Sequence, residues 1–184
     1  MEKFNNKYRI ESARLNGWDY RNSGAYFITI CTGDKIHHFG ECKDGKMRLS
    51  TMGLIVQGCW YEIPRLNQHV QLGAFIVMPN HTHGILILDN DKLTNVSQKT
   101  KIESSDKNDF FQKISSKSGS VSRMIQQYKR ACTYHIRCTF TNADFYWQTR
   151  FHEHIIRDVE SFDNIHNYIL NNPFKWDKDK FNEA

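Results

Sequence analysis

Two short aliphatic runs, Phe75-Ile76-Val77-Met78 and Ile85-Leu86-Ile87-Leu88, flank the segment Pro79-Asn80-His81-Thr82-His83-Gly84. Pro79 fixes φ and Asn80 tolerates turn geometry, so Met78-Pro79-Asn80 reads as a tight turn. Aliphatic runs of this length are strand-like, and the segment predicts a β-hairpin or two adjoining strands. Residues i and i+2 of a strand share a face, so His81 and His83 would stand side by side at the mouth of a buried sheet. Two imidazoles are awkward to bury without partners, which makes the pair read as metal ligands. Spacing alone does not single them out, since His152-Glu153-His154 repeats it and His37-His38 are adjacent. What distinguishes the first pair is that it opens an aliphatic strand.

Around this hairpin the chain predicts an alternation of strands and helices. Ala25 to Thr32 (AYFITICT) is aromatic and β-branched, a first core strand. Lys43-Asp44-Gly45-Lys46 makes a turn within a small hairpin between Phe39 and Ser50. Met52, Ile55, Val56, Cys59, Trp60 and Ile63 recur at helical spacing, with Ser50 or Thr51 as cap and Pro64 at the exit. Gln71–Met78 and His83–Leu88 supply the next strands, Ser120 to about Arg137 a second helix, and Phe151–Arg157 a fourth strand. A third helix, from Asp158 or Ser161 to Asn172, would be stopped by Pro173. Strands 1 and 2, joined through a helix, imply a parallel pair with a right-handed crossover, and strands 2 and 3 a hairpin. The order β-α-β-β-α-β predicts an α+β, ferredoxin-like antiparallel sheet with helices on one face, plus a C-terminal helix.

At 184 residues the chain is expected to form one domain, with a basic arm over about 1–24 and a polar, mobile insert over about 89–119. Five cysteines, an odd number without a C-x-x-C pair, argue against a disulfide framework or a structural zinc knuckle. The start MEKFNNKYRI has no apolar stretch of a secretory signal and no run reaches membrane-spanning length, so the expectation is a cytoplasmic protein with reduced thiols. A net charge of +5 permits an anionic partner without demanding one. Arg14 and Arg21 in the arm, and Lys117, Arg123, Lys129 and Arg130, are candidates for phosphate contacts, against the alternative of a solvated basic surface. Tyr146, Trp147 and Arg150 read equally as groups that stack on or grip a strand and as ordinary packing.

On the terminal helix Asn164, Tyr168 and Asn172 are spaced four apart beside an apolar stripe of Phe162, Ile165 and Ile169. Tyr168 would stand at the edge of the buried face, either as a half-buried core residue or as a functional phenol. Taken together, Val77-Met78-Pro79-Asn80-His81-Thr82-His83-Gly84 and Tyr168-Ile169-Leu170-Asn171-Asn172-Pro173 resemble the single-tyrosine HUH transposases, in particular the REP-associated tyrosine transposases. Other pieces agree in order: Arg14-Leu15 with Asp19-Tyr20, Tyr26 to Cys31, Phe39-Gly40-Glu41, and Trp147-Gln148 with Arg150-Phe151 and His154. The resemblance spans roughly residues 8 to 176, apart from the polar insert.

The resemblance implies cleavage and rejoining of single-stranded DNA beside hairpins, through a 5′-phosphotyrosine. Carried onto matching positions, Tyr168 is the nucleophile, and His81 and His83 hold a divalent cation with Asn172 as a third polar ligand. Two imidazoles completed by oxygen suit Mn²⁺ or Mg²⁺. Single-stranded or hairpin DNA is the implied partner, with a homodimer as a further possibility. Thr82 departs from the larger apolar residue usual in the family; because it points away from the histidines, the expected cost is in packing. The competing reading is a catalytically silent module that binds hairpin DNA.

Overall fold

The computed structural model describes residues 3–4, 7–8, 19–89 and 119–182. Arg14, Lys117 and most of the arm and the insert lie outside the described residues. In chain order the main elements are β1 (Gly24–Cys31), the hairpin β2 (Gly40–Lys43) and β3 (Lys46–Leu49), α1 (Thr51–Tyr61), β4 (Val70–Val77), β5 (His81–Leu88), α2 (Val121–Thr139), β6 (His152–Ile156) and α3 (Val159–Leu170). A two-residue ladder, Lys3–Phe4 with Lys7–Tyr8, precedes them. In the β2–β3 turn Asp44 and Gly45 both have positive φ (53° and 69°), the requirement of a tight two-residue hairpin.

The main sheet has four strands in the order β4-β5-β1-β6. Every hydrogen-bonded pair in it is antiparallel. The first and second core strands, β1 and β4, do run parallel, but they are not a pair as the sequence order implied: β5 lies between them. The reason is local. Met78 N–H donates to His81 O at 2.8 Å, closing a short turn that commits β5 to β4. β5 is also apolar on both faces and almost wholly buried, which demands a central position.

Alternation along β1 then sorts the molecule into two faces. Tyr26, Ile28 and Ile30 join the larger core beneath α1 and α2, with Val56, Trp60, Met124, Ile125, Cys132 and Ile136. Ser50 caps α1, accepting from Gly53 N–H at 3.1 Å, and Ser120 caps α2 in the same way through Arg123 N–H. Trp60 stacks on Phe75 with centroids 4.5 Å apart, and Gly84 makes room for this pair: a Cβ there would lie 2.4 Å from Trp60. A bulge between Leu72 and Phe75 keeps both side chains on this face. Thr82 also faces these helices and is buried, with its hydroxyl toward that of Tyr128.

On the opposite face α3 is the one α-helix among the described residues. Phe162, Ile165 and Ile169 dock it against Phe27, Ile76, Ile85 and Ile87. Asp158 caps α3, accepting from Ser161 N–H at 2.7 Å. The helix ends at Leu170, two residues earlier than the sequence pattern predicts. Pro173 does not stop it; it sits in the first turn of a 3-10 segment, Asn172–Lys178.

Candidate active site

The unbroken register of β1 on β5 sets Cys31 opposite His81 and Thr29 opposite His83, all on the face covered by α3. The two imidazoles meet through their Nε2 atoms, 3.1 Å apart. Their Nδ1 atoms are held from outside: His81 by Asn80 Oδ1 at 2.8 Å, His83 by Thr29 Oγ1 at 2.9 Å. Asn80 Nδ2 donates to the carbonyls of Lys35 (3.0 Å) and Phe181 (2.7 Å), so its Oδ1 faces His81 and can only accept. His81 Nδ1 therefore carries the proton and its Nε2 the lone pair. The Thr29 hydroxyl, able to accept, permits the same tautomer at His83. In that tautomer both Nε2 lone pairs would converge and call for a cation between them; in the other, with the Thr29 hydroxyl donating to Nδ1, His83 Nε2–H donates to His81 Nε2.

The spacing can be compared with metal geometry. For ligands about 2.1 Å from an octahedral ion, adjacent donors are about 3.0 Å apart. A tetrahedral zinc site sets its nitrogens about 3.3 Å apart. The observed 3.1 Å lies between the two and is equally an N–H···N hydrogen-bond distance, so it does not choose between the ions. Burial, followed by the neighbouring His83 and Lys180, pulls the His81 pKa down to about 2; burial and Lys180 pull His83 down to about 3. Both rings are thus neutral at physiological pH, the form a metal requires. Among the described residues no group of three or more His, Cys, Asp and Glu side chains could hold a metal. Further ligands would have to be neutral oxygens, water or a substrate phosphate.

Tyr168, on α3, brings its hydroxyl within 3.3 Å of His83 Nε2, and its ring stands edge-on to Phe27. It is 37% exposed, so the phenol is open to solvent on one side. Burial and the Asp179 carboxylate raise its pKa, while Asn172 partly offsets the rise. Asn172 reaches this corner from the 3-10 segment, not from the helix face that the four-residue spacing implied. It is 1% exposed; its amide lies close enough to the Tyr168 hydroxyl to lower that group's pKa, without a hydrogen bond of normal geometry. A buried amide short of hydrogen bonds beside that phenol is a group that a cation or phosphate would satisfy.

The segment Asp179–Asn182 closes the site, and the sequence reading did not anticipate it. Phe181 places its ring 4.5 Å from that of His81 and is anchored through its carbonyl to Asn80. Its N–H donates to Asp179 Oδ1 at 2.8 Å. Under this cover His81 and His83 are 0% and 2% exposed. Asn80 and Thr29, the residues that orient the histidines, were also missed; Asn80 read only as a turn former, and Thr29 becomes visible only with the register.

The remaining candidates are dispersed. Arg21 is engaged side-on by Asp19. Arg123, Lys129 and Arg130 lie on α2, across the sheet from the histidines. Trp147 is buried against Phe39, Phe145 and Tyr128, while Tyr146 donates its hydroxyl to Asp34 and Arg150 is exposed. Lys129 Nζ donates to the Gln148 carbonyl. His152 and His154 are exposed on the histidine face, opposite Thr29 and Phe27 on the edge strand. No helix among the described residues is long and apolar enough to cross a membrane.

No protein-family model matches the chain. An uncharacterized protein of Haemophilus influenzae is 33% identical over 171 residues, covering 92% of this chain and 91% of that protein. Among solved structures, a REP-associated tyrosine transposase bound to a REP hairpin superposes with a TM-score of 0.55 at 19% identity, over 88% of this chain and 73% of the other. A transposase-like protein from Deinococcus radiodurans, described as putative, gives 0.46 at 13% identity, over 86% and 95%. At such identities the first likeness is one of fold: the mixed α+β architecture around a four-stranded antiparallel sheet is that of the transposase.

Proposed function

From a chain that belongs to the same family as the Haemophilus influenzae protein and has a transposase-like fold, we propose a metal-dependent single-stranded DNA endonuclease and strand transferase of the HUH tyrosine type, REP-associated branch. One observation carries the reading. The Tyr168 hydroxyl lies 3.3 Å from His83 Nε2, which lies 3.1 Å from His81 Nε2, with the buried and under-bonded Asn172 amide on the side of the phenol. Packing alone does not require two imidazole Nε2 atoms to meet next to a half-exposed phenol.

In this reading His81, His83 and Asn172 would hold Mg²⁺ or Mn²⁺, and the bound ion would supply positive charge to neutralise the phosphate and stabilise the charge that builds in the transition state. Tyr168 Oη attacks phosphorus; the Oη–P bond forms and the P–O3′ bond breaks. The phenolic proton passes to water and the departing 3′ oxygen takes one up. One side of the nick is left as a 5′-phosphotyrosine, the other as a free 3′-hydroxyl. Because the phosphoester is conserved, the hydroxyl can attack in reverse, and this makes strand transfer possible where a water-using nuclease would stop. Thr29 and Asn80 hold the imidazoles in the orientation that aims Nε2 inward. The REP hairpin held by the structural neighbour supports hairpin-bearing single strands as the substrate. In this reading Tyr168 acts with the histidines of its own chain.

A covalent-trapping assay tests this. With Mn²⁺ and a single strand bearing a hairpin, the protein is expected to become attached to a 5′ DNA end. Tyr168→Phe is expected to lose the adduct and keep DNA binding; persistence of the adduct in that variant would remove Tyr168 as nucleophile. The sealed state of the histidines under Phe181 favours a second reading, a silent module that binds hairpin DNA without cutting. A Mn²⁺-induced rise in melting temperature that vanishes in His81→Ala speaks for the enzyme, and its absence at millimolar metal for the silent module.

A further inference from the structure

Helix α2 buries one stripe and turns a different chemistry outward. Met124, Tyr128, Cys132 and Ile136 enter the core. Arg130, Tyr134 and Arg137 fall on the far side of the helix, exposed, with Lys129 between the two stripes. These four and Trp147 line a groove of about 560 Å³. No carboxylate lines it, and the helix as a whole carries Arg123, Lys129, Arg130 and Arg137 without a single Asp or Glu. Among the described residues neither Arg130 nor Arg137 takes part in an ion pair. Tyr134, at 66% exposure, is a large aromatic surface left in water between them.

The groove lies on the helix face of the sheet, opposite the histidines, and a short stretch of backbone links it to the end of the sheet that carries them. Lys129 Nζ donates to the carbonyls of Gln148 (2.5 Å) and Thr149 (3.4 Å), fixing that wall. Gln148 N–H donates to Cys31 O at 3.0 Å, and Cys31 is the strand partner of His81. A single stretch of backbone, 147–149, thus runs from the groove to the end of the sheet that carries the histidines. Anionic ligands of protein or small-molecule origin would use the cations but leave Tyr134 idle. Alternating phosphates and π-faces occur together in one ligand class, single-stranded nucleic acid.

Building on the function proposed above, we propose that the α2 groove binds single-stranded DNA flanking the cleaved position, with Arg130 and Arg137 on backbone phosphates and Tyr134 stacked on a base. The test is fluorescence anisotropy of a labelled 20-nucleotide oligothymidylate with the full chain at several KCl concentrations. Arg130→Gln/Arg137→Gln is expected to weaken binding at least tenfold. It should also flatten the dependence of log K on log salt by about 1.4, two phosphates at ~0.7 each. Tyr134→Ala is expected to weaken binding about fivefold or more with the salt slope unchanged. Lys43→Gln/Lys46→Gln, an equal charge loss on the exposed β2–β3 hairpin, is expected to bind as the parent does. Groove variants that bind like the parent, a control that loses as much, or a parent that does not bind the strand would each overturn the assignment. The adduct assay separates the two proposals. Binding lost in the groove variants with no adduct in the parent leaves the groove and removes the tyrosine chemistry. An adduct in the parent with undiminished binding in the variants does the reverse.

Discussion

The smallest unit that matters here is the hydrogen bond behind each imidazole. Thr29 Oγ1 and Asn80 Oδ1 occupy the Nδ1 side of His83 and His81 and leave the Nε2 side for a ligand. Outer partners of this kind are worth about 10–100-fold in metal affinity. Thr29→Val keeps the shape and removes the hydroxyl, so the Mn²⁺ concentration giving half the maximal melting shift is expected to rise by about that factor, with Thr29→Ser restoring it. A Thr29→Val titration that overlays the parent would deny the threonine this role. Burial of the pair has a separate, metal-free consequence. Both histidines sit far below their ordinary value of 6.5, at about 2 and about 3 in the fold. The unfolded chain therefore binds more protons than the folded one once pH drops below about 6.5, and the stability present above that pH is lost as pH falls toward 3. Below about pH 5.5 the loss approaches ~1.4 kcal/mol per histidine per pH unit. Urea unfolding without metal at pH 7.5, 6.5, 5.5 and 4.5 should show a shallower decline for His81→Asn/His83→Asn than for the parent. Equal slopes would mean that the rings are not held neutral.

At the scale of elements, packing between β5 and the helix layer sets how much change the hairpin tolerates. Gly84 lies under the Trp60–Phe75 stack, where a Cβ would approach Trp60 to 2.4 Å and Phe75 to 2.9 Å. Both rings are wedged between sheet and helices, so Gly84→Ala is expected to destabilise the fold by about 1–3 kcal/mol. Thermal melts check this, and an unchanged midpoint would show that the layer can shift. Most elements were legible because their periodicities are strong: the alternation in β1, the aliphatic β5 and the stripe of α2 are carried by the residues themselves. Which strand lies between two others is not written in any local pattern, and the sequence order led to β1 and β4 as neighbours. The end of α3 was misplaced for a related reason. Pro173 marks a boundary equally well as a helix stop and as the first turn of a 3-10 segment, and only the second delivers Asn172 to the site. His81, His83 and Tyr168 could be picked out through spacing and resemblance; Thr29 depended on a register, and Phe181 lies in a polar run, Asp177-Lys178-Asp179-Lys180-Phe181-Asn182, with no period to read.

Across the whole molecule the sheet divides labour between its faces. One face buries Tyr26, Ile28, Ile30 and the α1–α2 layer and carries most of the hydrophobic stabilisation; the other holds the imidazoles, the phenol and a single docked helix. That second face is closed in its observed state by Asp179–Asn182. The Phe181 ring lies tilted against that of His81, and burial together with the Asp179 charge raises the Tyr168 pKa, so in the proposed reading the same short segment would hide the metal ligands and keep the phenol protonated. A phosphodiester cannot reach the Nε2 atoms while Phe181 is seated, so opening must precede any chemistry. Phe181→Ala removes the ring without touching the histidines, Thr29 or Tyr168. Because both imidazoles are neutral at pH 7, their reaction with diethylpyrocarbonate is limited by access and not by protonation. Carbethoxylation at His81 and His83, followed by mass spectrometry, is expected to quicken severalfold in Phe181→Ala, and Tyr168 adducts to accumulate faster with Mn²⁺. Faster modification without faster adduct formation would mean that the segment shields the histidines but does not limit the reaction. No change in either would mean that the segment leaves the site readily by itself, and that the closed arrangement is only one of its resting positions.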